Sequence, residues 1–207
     1  FARMSYDISA NILNKQAEDS LVYWFVINNE KYPFSNKKFR QALSLAINRD
    51  ELVTTVFHNL GVPRTSVLPA TLGLAEGFPL QDVSLAQKLF KEALKELGIT
   101  VKELPEIKLS YVVDIESHHR IAQAIQDQWR KVLGITNVCL ESREWKVHFN
   151  HLFLKEYELG FLSWNVSVLD PSFILELLRS KSEPNNLCSW ESPHYTALID
   201  KAKECLS

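Results

Sequence analysis

The chain has 207 residues, of which 46% are hydrophobic and 23% charged, and its formal net charge is −2. The length suits one large domain with a sizeable core, or two small ones at most. The near-neutral charge, without a basic run or a basic stripe interleaved with aromatic residues, argues against nucleic-acid binding. No apolar stretch reaches the roughly 18 residues that a transmembrane helix needs.

The start of the chain and its cysteines say little about its compartment. The single methionine is Met4, and the sequence begins at Phe1 without a signal peptide. We therefore expect a piece of a longer precursor. Cys139, Cys188 and Cys205 are odd in number and have no metal-like spacing, so we expect inert buried thiols for at least two of them and no disulfide framework.

Three helices are predicted in the first half of the chain. An apolar stripe with spacing i, i+3, i+4, i+7 and i+8 indicates an amphipathic helix, and it comprises Phe39, Ala42, Leu43, Ala46 and Ile47. Asp50 is placed to cap a short second helix. Ser84 and Gln87 form a capping-box pattern at the start of a third helix, which Gly98 would end. The stretch 61–79, with three prolines and three glycines, predicts a long ordered loop.

Three more helices are predicted in the second half. The first repeats an apolar residue every four positions and ends at Gly134; it carries Ile121, Ile125, Trp129 and Leu133. The second is marked by Trp145, Phe149, Leu152 and Phe153. The last begins at Ser192-Pro193, which is an N-cap residue followed by a first-turn proline.

Short runs of β-branched and aromatic residues lie between the helices, at 21–28, 107–113, 137–142 and 158–164. They are apolar on both faces, as expected for strands that helices cover on both sides. From about residue 107 onward strands and helices alternate. This order predicts an α/β domain with an open, mostly parallel sheet flanked by helices.

In such a sheet ligands usually bind at the carboxyl ends of the strands. Trp164 ends the last predicted strand and offers a flat apolar surface, although it could equally be a core residue. Asp170-Pro171 follows, which is typical of a turn and helix start. His118 lies just past a strand end, where a protonated imidazole could pair with a carboxylate.

The remaining candidates for chemistry are weak. His148 and His151 are three residues apart, but no third ligand has suitable spacing, so we expect solvated surface histidines and no metal site. No nucleophile elbow, phosphate-binding glycine loop or zinc-protease motif is present. We expect neither an enzyme nor a cofactor, with a hydrolase or transferase on an α/β sheet as the alternative.

The ordered series of motifs resembles a known family. Residues 25–29 (FVINN), followed by residues 33–50 (PFSNKKFRQALSLAINRD), are similar to the signature of the oligopeptide, dipeptide and nickel solute-binding proteins of ABC importers. That signature is a strand ending in Asn, a Pro-Phe turn and a helix of this composition. Further matches follow in the same order, through the Trp164 strand end to Ser192-Pro193, so the resemblance covers about residues 20–206.

The resemblance implies a two-lobed, hinged receptor. Residues 1–207 would form the C-terminal lobe, of the type II periplasmic-binding kind, with residues 1–20 as a linker or a segment of the partner lobe. The second lobe is absent from the sequence. The implied partners are an oligopeptide ligand, the subunits of a membrane permease and the missing N-terminal lobe. The implied location is periplasmic or otherwise extracytoplasmic, with a signal sequence or lipid anchor on the missing lobe.

The resemblance also implies site residues. Trp145 and Trp164 correspond to tryptophans that wall the side-chain pockets, and His118 to a histidine that meets the carboxylate of a longer peptide. The segment beside the first residue of the ligand corresponds to Asn165, Val166 and Ser167.

Three positions depart from the family pattern. Ser167 stands where relatives place an aspartate for the peptide ammonium, and Leu152 and Phe161 stand where oligopeptide binders place arginines for the peptide carboxylate. The ligand would then lack a free amine, or Asp170 or the missing lobe would supply the anion. A murein peptide, a metal complex or a glycan remain alternative ligands.

Overall fold

Four strands form one mixed sheet in the computed structural model, which describes residues 21–68, 78–165 and 170–204. The strands are β1 (Leu21–Ile27), β2 (Ile107–Val112), β3 (Val138–Arg143) and β4 (Leu159–Asn165), in the order β1-β4-β2-β3. β2 is parallel to both of its neighbours, and β1 is antiparallel to β4. The predicted open, mostly parallel sheet is confirmed, with one antiparallel strand at its edge.

Seven α-helices accompany the sheet in the described part of the chain: α1 (Lys37–Leu45), α2 (Arg49–Thr55), α3 (Val83–Leu97), α4 (Glu116–Leu133), α5 (Trp145–Phe153), α6 (Pro171–Leu175) and α7 (Pro193–Glu204). Short 3-10 helices cover Val101–Glu103 and Glu176–Leu178. In the described ranges, no helix combines the length and apolarity required to cross a bilayer. Of the predicted loop 61–79, residues 69–77 lie outside the described residues.

The observed C-terminal ends of the helices agree with those predicted from the sequence, whereas two of the observed N-caps differ from the predicted ones. Gly98 ends α3 with φ 70°, in the left-handed region that a glycine adopts without a Cβ penalty. The predicted caps Asp50 and Ser84 are wrong. Asn48 caps α2 and Asp82 caps α3, each with an extended backbone and a side-chain oxygen that accepts from the N–H three residues on.

The main core lies between one face of the sheet and the helices α1, α3 and α4. Ile107 and Leu109 of β2 are fully enclosed there, beside Phe161 of β4 and the helical residues Leu43 and Ile125. Fully burying side chains of this size contributes about 1.5–3 kcal/mol each. The fold is therefore held together chiefly by this layer.

A smaller core on the opposite face of the sheet consists of Leu152, Tyr157, Leu162 and Leu187. Helix α5 packs close to β4 here because Gly160 has no side chain. A Cβ at Gly160 would overlap Leu152 Cδ2 and lie 3.2 Å from Val26 Cγ2. Gly160 therefore determines how near α5 approaches the sheet.

We expect Gly160→Ala to lower the free energy of unfolding by about 1–3 kcal/mol, since the added methyl group overpacks a completely buried contact. The measurement is urea unfolding. Leu152→Ala provides the matched background, because it vacates the space that the new methyl needs. In that background Gly160→Ala should cost clearly less. Equal cost in both backgrounds would contradict the packing argument.

Candidate functional site

The three parallel strands present their carboxyl ends at one edge of the sheet, where ligands bind in open α/β folds. Leu109 of β2 pairs with Leu140 of β3 and with Leu159 of β4. Trp145 is five residues beyond Leu140 (145 − 140), and Trp164 is five residues beyond Leu159 (164 − 159). The backbones of the two tryptophans thus lie at the same edge, on either side of the central strand. We call this the carboxyl edge.

Trp145 is the first residue of α5 and is 46% exposed. Glu144 fixes the start of the helix by accepting hydrogen bonds from the backbone N–H groups of Lys146 (2.9 Å) and Val147 (3.3 Å). The indole lies against the ring of Phe149, with centroids 4.2 Å apart. The result is a flat, apolar and accessible surface on a rigid element.

The aromatic surface of Trp145 continues along α5. Phe149 and Phe153 follow at intervals of four residues, with ring centroids 6.4 Å apart, and Phe153 is exposed. We call these three residues the aromatic stripe. The four-residue spacing in the sequence is the signal that predicts this shared face.

The other residues predicted around Trp164 are only partly described. The backbones of Trp164 and Asn165 belong to β4, where they pair with Val22 and Leu21 of β1. Their side chains, and the whole of Val166 and Ser167, lie outside the described part of the structure. The predicted helix start at Asp170-Pro171 is confirmed, because Asp170 Oδ1 accepts from the N–H of Ser172 at 2.8 Å.

His118 is enclosed and does not face solvent. It is 1% exposed, with its ring edge-on to that of Phe161 (centroids 4.5 Å) and 6.2 Å from that of Tyr23. Among the described residues neither ring nitrogen has a hydrogen-bond partner. Burial lowers the pKa of His118 to about 4. The expected protonated imidazole is therefore not what the lobe holds at neutral pH.

His148 corrects a second expectation, since it is completely buried and not solvated. Its Nε2 donates to the carbonyl oxygen of Phe161 at 2.9 Å, and burial lowers its pKa. His151 instead is half-buried, with its Nδ1 3.7 Å from Glu156 Oε2. Across the ranges that the structure describes, no group of three metal-ligating side chains comes together.

Sequence spacing contained the signal for both buried histidines. His118 is three residues before Ile121 and therefore continues the apolar stripe of α4. His148 is four residues before Leu152, on the buried face of α5. A histidine in register with an apolar stripe is enclosed by the same packing as its neighbours.

Two further positions lack the charges that the family pattern would place there. Leu152 and Phe161 are both core residues with almost no exposed surface. An arginine at either position would have to be accommodated within packed apolar side chains. In contrast, His119 is exposed near the carboxyl end of β2, and its Nδ1 lies 2.6 Å from the hydroxyl oxygen of Tyr111. No motif in the sequence predicts this pair.

Comparison with solved structures shows the same fold in binding proteins. The MppA periplasmic murein tripeptide binding protein, in its unliganded open form, aligns with 89% of this chain at a TM-score of 0.79 and 24% identity. A periplasmic oligopeptide-binding protein (OppAIV) from Borrelia burgdorferi aligns with 92% of the chain at a TM-score of 0.75 and 26% identity. The chain covers 36% and 39% of those two proteins.

Sequence comparison agrees. The oligopeptide-binding protein OppA of Bacillus subtilis is 35% identical over 188 residues, which are 88% of this chain and 34% of the relative. The chain thus spans about a third of the length of this relative. Residues 3–186 match the family described as "Bacterial extracellular solute-binding proteins, family 5 Middle". The chain, with its sheet flanked by helices of the type II periplasmic-binding kind, belongs to the family 5 extracellular solute-binding proteins of bacteria.

Proposed function

We propose that residues 1–207 are the C-terminal lobe of a two-lobed receptor that binds oligopeptides and delivers them to an ABC permease. The lobe would act by binding and hinge closure, without catalysis. The lobe missing from this sequence would close over the ligand and carry the signal sequence or lipid anchor. Support comes from the family, from relatives named as oligopeptide-binding proteins, and from the third of their length that the chain spans.

The observation that carries this proposal is the carboxyl edge. Trp145 lies exposed there at the start of α5, and the backbone of Trp164 reaches the same level on β4. An extended peptide along this edge would bond through its main chain, while flat aromatic walls and water would accept many side chains. Such a site binds peptides without strict sequence preference.

Charge recognition at this site would differ from that of the relatives. Ser167 can accept a hydrogen bond from an ammonium group but cannot neutralise it. Asp170 is an anion nearby in the sequence, but its carboxylate already accepts hydrogen bonds from Ser172 as the N-cap of α6. In addition, neither Leu152 nor Phe161 offers a charge to a peptide carboxylate. We therefore infer that charged peptide termini contribute little to affinity through this lobe.

A direct prediction concerns the peptide amine. Losing one side of a desolvated ammonium–carboxylate pair costs about 3–5 kcal/mol, or about a hundredfold to several thousandfold in affinity. Because that pair is missing here, the full-length receptor should bind trialanine and N-acetyl-trialanine within about tenfold of each other, as measured by calorimetry.

The variant Ser167→Asp is the matched control for this comparison. It restores a carboxylate at the position in question and should introduce a clear preference for the free amine. If the unaltered receptor already binds the free peptide a hundredfold more tightly, another group supplies the anion and the inference about charge is wrong.

A second prediction concerns Trp145. Removing an exposed aromatic wall should leave folding intact and weaken ligand binding by the full-length receptor. Trp145→Ala should cost at least about 1 kcal/mol of binding free energy, or at least about fivefold in Kd. Leu198→Ala, a comparably exposed apolar residue on α7, serves as the control. Equal affinity of both variants would remove Trp145 from the site.

A second candidate ligand is a murein peptide. The aromatic stripe is apolar over its whole length, and the related MppA is named for a murein tripeptide, a ligand other than an ordinary oligopeptide. Mass spectrometry of compounds that co-purify with the full-length receptor would distinguish these cases. A mixture of peptides supports the first proposal, whereas one defined compound supports the second.

A further inference from the structure

The carboxyl half of β4 is held between two buried imidazoles. His118 of α4 lies edge-on against the ring of Phe161, and His148 of α5 donates to the carbonyl oxygen of the same residue. On one side β1 pairs with β4 along its whole length, but on the other side the pairing with β2 covers only Leu159 and Gly160 and ends before Phe161. Beyond that point His148 provides an anchor that β2 does not.

The hydrogen-bonding surroundings of both imidazoles suit the neutral ring. His148 uses Nε2–H as a donor, so its Nδ1 carries the lone pair, and this atom has no partner among the described residues. Neither nitrogen of His118 has one. Protonating either imidazole would therefore create a buried charge and leave a ring N–H without a hydrogen-bond acceptor among the described residues.

One neighbouring group favours such a charge, since the hydrogen bond to the Phe161 carbonyl raises the pKa of His148, but burial has the larger and opposite effect. The ionisable group that acts on His118 from another element is His148, and the phenol ring of Tyr23 on β1 lies beside it. His148 is influenced by Arg143 of β3 and by His151 of its own helix, and both disfavour its protonated form. The charged groups acting on the pair are thus basic, and their repulsion adds to the effect of burial.

We propose that protonation of His118 and His148 in mildly acidic solution opens the carboxyl half of β4, so that the carboxyl edge is acid-labile. This acid-induced opening of β4 does not depend on a ligand or on the proposed transport role. Acid favours opening because the pKa of each histidine is lower in the closed state than in the open one. The stability of the closed state is therefore fully present above the ordinary pKa of histidine and is lost as the pH falls below it.

The contribution of His118 to the opening equilibrium of β4 follows from its two pKa values. Its pKa is about 4 in the closed lobe and about 6.5 when exposed. Lowering the pH from 7 to 5 then shifts the opening equilibrium by about twentyfold. His148 shifts it further in the same direction.

The test is hydrogen–deuterium exchange of the 207-residue chain at pH 7 and pH 5, with rates normalised to unstructured peptides of the same sequence. Amides of residues 161–165 should lose at least about tenfold in protection, whereas those of β2 should lose much less. Unchanged protection of residues 161–165 at pH 5 would overturn the proposal.

Variants identify the groups responsible. His118→Phe keeps a ring of similar size, and His148→Gln keeps a donor for the Phe161 carbonyl; together they should abolish the acid effect. His194→Gln, an exposed histidine on α7, should leave it unchanged. If the double variant folds and still opens in acid, the histidines are not the cause.

A measurement on the unaltered chain covers the case in which the double variant does not fold. NMR titration of the histidine Cε1–H signals should show that His118 and His148 remain neutral down to the pH at which β4 opens. Independent titration of both near pH 6.5 with β4 intact would equally overturn the proposal.

Discussion

The parallel pairing of β2 with both β3 and β4 is the constraint on which the rest of the fold depends. Because β2 has parallel partners on both sides, three strands end at one edge and the segments that follow them are brought together. The enclosed apolar residues of β2, Ile107 and Leu109, secure this arrangement through the main core. The carboxyl edge is a consequence of strand direction, and its side chains would determine which ligand the proposed site accepts.

Most elements of the fold could be predicted from the spacing of apolar residues and from the glycines that end helices. The runs of β-branched residues gave the four strands to within one or two residues, and Gly98 and Gly134 ended their helices in the left-handed conformation as expected. The N-caps were harder to predict, because Asn48 and Asp50 both have side chains that suit an N-cap and lie only two positions apart. Tertiary packing decides which residue takes the extended backbone of a cap.

The candidate site was predicted only in part, for a physical reason. Trp145 is exposed at the expected edge, and its place follows from strand and helix order alone. The prediction for His118 rests on its position just past a strand end and that for His148 on its polarity, whereas their register with the apolar stripes decides their environment. Burial then depresses their pKa values, so His118 does not offer the protonated imidazole that had been expected.

The central claim is that the ligand lies along the carboxyl edge between this lobe and a second one. A crystal structure of the full-length receptor with its co-purified ligand tests this most directly. The account predicts ligand atoms in contact with the Trp145 indole and with the backbone that follows Trp164. A ligand bound elsewhere, or Trp145 covered by the receptor's own chain in the open form, would contradict it.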